Sequence, residues 1–336
     1  MRIVTDWDDL PAEPHVVTIG NFDGVHYGHR HLLETVRNHA IHHGVASLVI
    51  TFDPLPAEVL APDHAPLRLT LTEHRLRLLL ACGIDRILLI RFDRQFASLT
   101  PREFIDLLVA ATHPTEIIVG DDFHFGRGRS GNPRVLRELA SEFGFSVSVV
   151  TRVEDGSTPI SSTRIRQAIT EGNVRLAAEL LGRPHALVGE IVAGSGRGSQ
   201  LGFPTANLAV FDRLLPPAHG IYAAMAWTRQ TWYPGLAYIG DRPTFPGAGY
   251  AVEAYLLAES VPNLRGETLT IYFIDRLRPD RAFSNVQELI DQMQQDEQQA
   301  RQRLESIMSS WPPPLVAALH TPLEGVHLTY GLSDRT

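Results

Sequence analysis

The stretch His15-Val16-Val17-Thr18-Ile19-Gly20-Asn21-Phe22-Asp23-Gly24-Val25-His26-Tyr27-Gly28-His29 decides how the first half of the chain is read. A short apolar burst, His15–Ile19, runs into a glycine-bracketed turn, and a helical pattern follows over Gly28–His39. Bursts this short read as buried strands, and the longer periodic segments between them as helices. The alternation continues with strands at Ser47–Phe52, Arg86–Ile90, Glu116–Val119 and Ser146–Val150. Helices are expected at Glu73–Ala81, Pro101–Ala111 and Arg134–Glu142, with Thr100 as cap and Pro101 in the first turn of the second. Strand and helix taking turns predicts βαβ units on a parallel sheet, a Rossmann-like α/β domain. Such sheets bind ligands beyond the carboxyl ends of their strands. The unusual residues fall there, at Gly20–His29, Phe52–Pro56 and Gly120–Gly128.

Further on, a helix starts near Ser161, another covers Val174–Leu181, and Gly182-Arg183-Pro184 ends the helical pattern. The second half then changes character. Ala186–Ala193, Ile221–Trp227, Leu236–Ile239, Ala251–Leu257 and Thr268–Leu277 are strand-like and separated by Gly and Pro turns, which predicts an antiparallel barrel or sandwich. A long helix is expected over Asn285–Met308, with Ser284 and Gln287 as a capping box. Val286, Leu289, Ile290 and Met293 form an apolar stripe suited to packing on the barrel. The expected organisation is an α/β domain over 1–182, an antiparallel barrel domain with its long helix over 183–310, and an extension of unassigned role over 311–336.

With 336 residues the chain has room for two domains. A net charge of −8 and the lack of any long Lys/Arg run argue against a nucleic-acid surface. The lone Cys82, inside the apolar run Leu78–Cys82, reads as a buried structural thiol, and excludes an intramolecular disulfide. The first nine residues are acidic and lack an apolar signal core, and no apolar run reaches a membrane span. A soluble, cytoplasmic protein with no membrane partner is expected.

The turn after the first strand has the makings of a phosphate site. Gly20 and Gly24 permit close backbone approach to a ligand. His26 and His29 are three apart at a helix start and can face one way, where backbone N–H groups and the helix dipole favour anions. Imidazoles there can add hydrogen bonds or charge as phosphate charge develops. His39, His42 and His43, farther along, read as ordinary surface histidines. A second cluster, Ile160-Ser161-Ser162-Thr163-Arg164-Ile165-Arg166, puts hydroxyls at a helix cap and two arginines in its first turn. Cations oppose the dipole there, a conflict that a bound polyphosphate would relieve.

These two segments resemble the H-x-G-H and S-S-T-x-I-R signatures of nucleotidyltransferases. More narrowly, Gly20–His29, Thr51-Phe52-Asp53-Pro54 and Val119-Gly120-Asp121-Asp122-Phe123-His124-Phe125-Gly126 resemble the adenylyltransferase half of the bacterial bifunctional riboflavin kinase/FAD synthetases. The resemblance implies that His26 and His29 stabilise ATP phosphates during attack by FMN. It implies that Gly20, Phe22, Asp23, Gly24, Ser162, Thr163 and Arg164 hold ATP. Asp122 falls at a polar position near the flavin, and Phe52, Phe123 and Phe125 can line a flavin pocket or belong to the core.

In the second half, Gly194-Ser195-Gly196-Arg197-Gly198-Ser199-Gln200-Leu201-Gly202-Phe203-Pro204-Thr205-Ala206-Asn207 offers a flexible loop able to wrap phosphates, without the Walker pattern. Thr205 and Asn207 bring oxygens suited to a hard cation. Glu253, among apolar neighbours in its strand, needs a partner or a task, and a general base is one. Pro184–Arg303 resembles a riboflavin kinase domain through Gly202-Phe203-Pro204-Thr205-Ala206-Asn207, Gly220-Ile221-Tyr222-Ala223 and Ile239-Gly240-Asp241-Arg242-Pro243-Thr244-Phe245. By that resemblance Gly194, Gly198, Thr205 and Asn207 bind ATP, Thr205 and Asn207 hold Mg²⁺, Glu253 activates the ribityl hydroxyl and Arg278 meets the flavin. The implied partners are riboflavin, FMN, FAD, ATP, ADP and pyrophosphate.

The chain departs from the kinase pattern at four places. Tyr255 replaces a histidine, Tyr238 an asparagine and Ser199 an arginine, and the late motif reads Leu277-Arg278-Pro279-Asp280-Arg281-Ala282-Phe283. An alternative reading therefore keeps the FAD synthetase activity alone, with the barrel as a flavin-binding or regulatory module.

Overall fold

The computed structural model describes residues 2–194, 196, 198, 201–211, 213–241 and 250–323. The described residues divide by contact into two compact units, 2–66 with 72–161 and 318–323, and 67–71 with 162–317.

The first unit is built on a six-stranded sheet: β1 (Ile3–Val4), β2 (His15–Ile19), β3 (Ala46–Phe52), β4 (Arg86–Ile90), β5 (Pro114–Gly120) and β6 (Ser146–Val150). Their order is β1-β4-β3-β2-β5-β6 and every pairing is parallel. Leu48, Val49, Ile50, Ile117, Ile118 and Val119 have no exposed surface, as expected where helices cover both faces of a parallel sheet. From β2 the chain steps out to β3 and β4, then returns to the other flank of β2 with β5 and β6. The strand order therefore reverses between β2 and β5, where open α/β sheets bind ligands. The two-residue β1 is too short to carry a periodicity, which is why the sequence pattern did not predict it.

Helix α1 (Tyr27–His43) runs one turn past the expected His39, because Gly44 is the residue that takes the left-handed conformation ending it. His39 and His43 are not merely solvated: both face Glu116 of β5. Helices α2 (Pro56–Leu60), α3 (Thr72–Ala81), α4 (Pro101–Thr112) and α5 (Pro133–Phe143) complete this unit. Thr100 and Glu103 close a reciprocal box at the start of α4. Cys82 is a half-buried thiol rather than a buried one, since it lies just past the end of α3 in the turn to Gly83.

A two-stranded ribbon, β7 (Glu154–Asp155) with β8 (Thr158–Pro159), precedes the second unit, where α6 (Ser162–Thr170) and α7 (Val174–Leu181) lead into the barrel. Its strands are β9 (Ala186–Val192), β10 (Thr205–Val210), β11 (Gly220–Thr228), β12 (Thr231–Gly240), β13 (Ala251–Leu256) and β14 (Thr268–Arg278). They close in the order β10-β13-β12-β11-β14-β9, all antiparallel. Val252, Ala254 and Leu256 of β13 join Tyr222, Ala224, Ala226, Ala237 and Ile239 in its core. The alternate residues, Glu253 and Tyr255 among them, therefore lie on the other face of the strand.

The long helix Val286–Met308 packs on β11, β12 and β14. Two expectations change here. Its cap is Asn285, which accepts from Glu288 N, while Glu288 receives the Ser284 amide and hydroxyl, so the polar closure sits one residue later than Ser284/Gln287. Val286 is 59% exposed, and the buried stripe lies farther along at Asp296, Ala300 and Leu304. The buried face is set by the Arg278–Asp296 ion pair, described below, as well as by apolar residues. A short helix follows at Pro314–Leu319.

Candidate active sites

In the first unit the turn between β2 and α1 is strained as well as glycine-rich. Phe22 and Val25 take φ of 50° and 40°, and Gly24 of 87°. A Cβ on Gly20 would come within 3.1 Å of the Phe22 ring, so glycine gives the ring room to fold back there. His26 caps α1: its Nδ1 accepts from the His29 amide at 3.3 Å. Consequently the two imidazoles stack, with centroids 3.6 Å apart, and present one paired surface at the helix N-terminus. His26 and Asp23 are buried. Burial, followed by the nearby charges of His26 and Arg75, holds the His29 imidazole well below its usual range, so the ligand-free ring is neutral. Its buried Nδ1 has no hydrogen-bond partner.

Arg75 is the residue that sequence reasoning missed. It is 2% exposed, and its guanidinium donates to the Asn21 carbonyl at 3.0 Å and the Phe52 carbonyl at 2.6 Å. It thereby ties the His26–His29 turn to the end of β3. Thr72, one turn earlier on α3, donates to Asp53 at 2.9 Å. The available signal was a cation next to Leu76, Leu78 and Leu79, one turn after Thr72 on the same face of the helix.

The loop after β5 leaves from the opposite side of the switch point. Asp122 is exposed, with Arg152 nearby at 3.9 Å, and its carbonyl meets His124 at 2.8 Å. Phe123 is half-buried and stacks on Phe125. Phe52 and Phe125 are buried in the core, in a chain of ring contacts through Phe92, Phe96 and Phe104. The Ile160 carbonyl lies 3.3 Å from where Gly28 would carry a Cβ. Two residues later Ser162, Thr163 and Arg164 open α6, which belongs to the second unit, and there Arg166 donates to the Leu67 carbonyl at 2.7 Å.

In the barrel, β-pairing brings together residues far apart in sequence. Asn207 pairs with Glu253, Glu253 with Tyr238, Tyr238 with Ile221 and Ile221 with Arg278, forming one cross-strand row. Directly opposed residues share a face of the sheet. Thr205 Oγ1 donates to Glu253 Oε2 at 2.9 Å. Thus the carboxylate, the hydroxyl and the amide singled out in the sequence lie in one patch. The glycine loop closes on the same residues. A Cβ on Gly194 would strike Asn207 Nδ2 at 2.0 Å, and one on Gly198 would lie 3.2 Å from Thr205 Oγ1 and collide with the Phe203 carbonyl.

The kinase departures have partners of their own. Tyr238 donates to Asp280 at 3.0 Å, so two of the altered positions hydrogen-bond to each other. Tyr255 meets Phe203 edge-on, and burial, then the charge of Glu297, pushes its hydroxyl pKa up. Arg278 grips Asp296 of the long helix through Nε and Nη2, at 2.7 to 3.0 Å, and so fastens that helix to β14. Ser199, and Arg242, Pro243, Thr244 and Phe245 of the expected motif, lie outside the described residues.

Comparison with known proteins agrees with this division. A family model for FAD synthetase matches residues 9–164, and one for riboflavin kinase matches 181–304. The class defined by fold and sites is therefore a flavin-nucleotide transferase domain joined to a kinase barrel. The bifunctional riboflavin kinase/FMN adenylyltransferase of Escherichia coli K12 is 39% identical over 304 residues, covering 90% of this chain and 96% of its own. That of Listeria monocytogenes is 34% identical over 302 residues, covering 89% and 95%. A solved Streptococcus pneumoniae structure described as a macrolide-efflux protein superposes with a TM-score of 0.80 at 34% identity, over 89% of this chain and 98% of that one. The chain belongs to the bifunctional riboflavin kinase/FMN adenylyltransferase family. Among its described residues no helix is long and apolar enough to cross a membrane.

Proposed function

We propose that this chain converts riboflavin to FMN and FMN to FAD as a cytoplasmic enzyme using two ATP-dependent sites. Residues 183–310 carry the kinase reaction and residues 1–182 the adenylyl transfer, with 311–336 as an extension outside both. The order of the two family matches supports the assignment. The observation that carries the kinase half is the hydrogen bond from Thr205 to Glu253, with Asn207 opposite Glu253 in register.

In the kinase step Glu253 accepts the proton of the terminal ribityl hydroxyl as that oxygen attacks the γ-phosphorus of ATP, and ADP leaves as the β,γ-bridging P–O bond breaks. Thr205 orients the carboxylate. A hydroxyl has one proton and two lone pairs, so Thr205 can donate to Glu253 and still offer an oxygen to a cation. Thr205 and Asn207, alternate residues of β10, supply hard oxygen donors beside that carboxylate, a set that fits Mg²⁺. When bound there, Mg²⁺ neutralises phosphate charge. Gly194 and Gly198 let the loop backbone approach the phosphates, and Arg278 fixes the helix at the flavin side.

In the adenylyl step the FMN phosphate attacks the α-phosphorus of ATP and pyrophosphate leaves. No protein nucleophile is needed; positioning and charge stabilisation do the chemistry. The Gly20–Gly24 turn, with Phe22 and Asp23, receives the nucleotide, and His26 and His29 hydrogen-bond to the phosphates. Phosphate charge raises the affinity of His29 for a proton, opposing the lowering that burial imposes. Ser162, Thr163 and Arg164 hold the polyphosphate. Asp122 and Phe123 border the flavin, and Phe52 and Phe125 support that pocket from the core.

The test is a chromatographic flavin assay on purified protein with riboflavin, ATP and Mg²⁺. FMN followed by FAD is the expected sequence of products. FAD from added FMN, with no product from riboflavin, would remove the kinase half of the proposal.

A further inference from the structure

We propose that His39, His43 and Glu116 form a binding site for one Zn²⁺ ion at the end of α1 remote from the His26–His29 turn. His39 and His43 are four residues apart, so both imidazoles project from one face of α1. Glu116 comes from β5, on which α1 packs. His39 Nδ1 lies 2.8 Å and His43 Nε2 3.4 Å from the same oxygen, Glu116 Oε2. One donor atom from each of the three side chains lies within 4.8 Å of the others. Zn²⁺ bonds nitrogen and oxygen at about 2.0–2.2 Å, which spaces tetrahedral ligands roughly 3–3.5 Å apart. Small rotations of these side chains bring them to that spacing.

The surroundings suit a metal better than a simple ion pair. One histidine would suffice to pair Glu116, yet two converge on a single oxygen. The other oxygen, Oε1, accepts from Ser148 Oγ at 2.5 Å, an outer hydrogen bond of the kind that orients metal-ligating carboxylates. Glu116 is 4% exposed, while His43 is at the surface and leaves a way in for the ion. Two imidazoles and a carboxylate select a zinc-like ion over Mg²⁺ or Ca²⁺, which take oxygen ligands. On binding, the ion replaces the hydrogen bond between His39 Nδ1 and Glu116 Oε2, and the neutral His39 ring carries its proton on Nε2. His39 lies about 15 Å along the helix from His29, at about 1.5 Å per residue. The ion would pin the far end of α1 to β5, without touching the residues assigned to chemistry.

The experiment uses the untagged full chain, stripped of metal and titrated with Zn²⁺ against a chromophoric chelator in the absence of nucleotide. Wild type, His43→Gln and the double variant His39→Gln/His43→Gln are compared, and thermal unfolding is followed with and without Zn²⁺. Glu116 is left intact, because its loss would also remove the hydrogen-bond partner of the half-buried Ser148 hydroxyl. Wild type should bind one equivalent, His43→Gln about tenfold more weakly or worse, and the double variant should lack that equivalent. Zn²⁺ should raise the unfolding midpoint of wild type alone, with FMN and FAD formation unchanged in the metal-free variants. Equal binding by wild type and the double variant, which would place the ion elsewhere among the 15 histidines, would overturn the proposal. So would an absence of binding by wild type.

Discussion

The two candidate active sites are built in opposite ways. The adenylyl-transfer turn is contiguous: Gly20 to His29 leave one strand, enter one helix, and stack two imidazoles through a cap bond between neighbours. The kinase patch is assembled: Asn207, Glu253 and Tyr238 come from three strands and meet only because the barrel closes in one register. A contiguous site tolerates drift in its surroundings, because its geometry is set by local backbone. An assembled site depends on contacts between strands, and the Tyr238–Asp280 hydrogen bond joins two positions at which the sequence departs from the kinase pattern.

A large effect on the adenylyl-transfer side of that comparison is expected from His29→Ala. FAD formation from added FMN should fall by about 10²–10³-fold, the usual cost of losing one group that stabilises transition-state charge. FMN formation from riboflavin should be unaffected. Parallel loss of both would show that the turn and the barrel patch are not independent.

Next in size is Arg75→Met. The Phe52 carbonyl loses its donor in a buried setting, at about 1–3 kcal/mol, while the Asn21 carbonyl keeps the Thr51 hydroxyl. A lower unfolding midpoint together with weaker FAD formation is expected, while the kinase reaction is spared. If the midpoint falls but FAD synthesis at low temperature is normal, Arg75 supports the fold without aligning the turn.

Most of the first site was legible in the sequence because its residues are neighbours. The strand, the glycines and the histidine spacing all lie within fifteen positions. Arg75 was not legible, since α3 meets the turn only in three dimensions and a cation in an apolar helix has many uses. In the barrel, five of the strands followed from Gly and Pro punctuation, which left barrel and sandwich open, and Thr205, Asn207 and Glu253 were recognisable by motif. Their proximity was not, because register depends on pairing across strands. Val286 and the Ser284 cap were misplaced for a related reason. The helix is positioned by a charged pair, Arg278 with Asp296, which a search for an apolar stripe passes over.

The smallest effect is a slope. Burial, opposed by a hydrogen bond to the Leu215 carbonyl and assisted by the charge of Arg183, lowers the His185 pKa in the barrel unit to about 4. The unfolded chain binds this proton near pH 6.5, so stability is complete above that value and declines as pH falls towards 4. The decline is about 1.4 kcal/mol per pH unit for one such group. Denaturant unfolding of the barrel between pH 7 and 5 should be less pH-dependent in His185→Gln than in wild type. Identical slopes would show that other groups dominate the acid sensitivity.

The most direct measurement is the flavin time course of Glu253→Gln against wild type, started once from riboflavin and once from FMN. Separate sites with Glu253 as base predict that the variant makes FMN about 10²–10⁴-fold more slowly yet turns added FMN into FAD at the wild-type rate. Unimpaired phosphorylation of riboflavin by the variant would contradict the role of Glu253. Loss of FAD formation from added FMN would contradict the separation of the two sites.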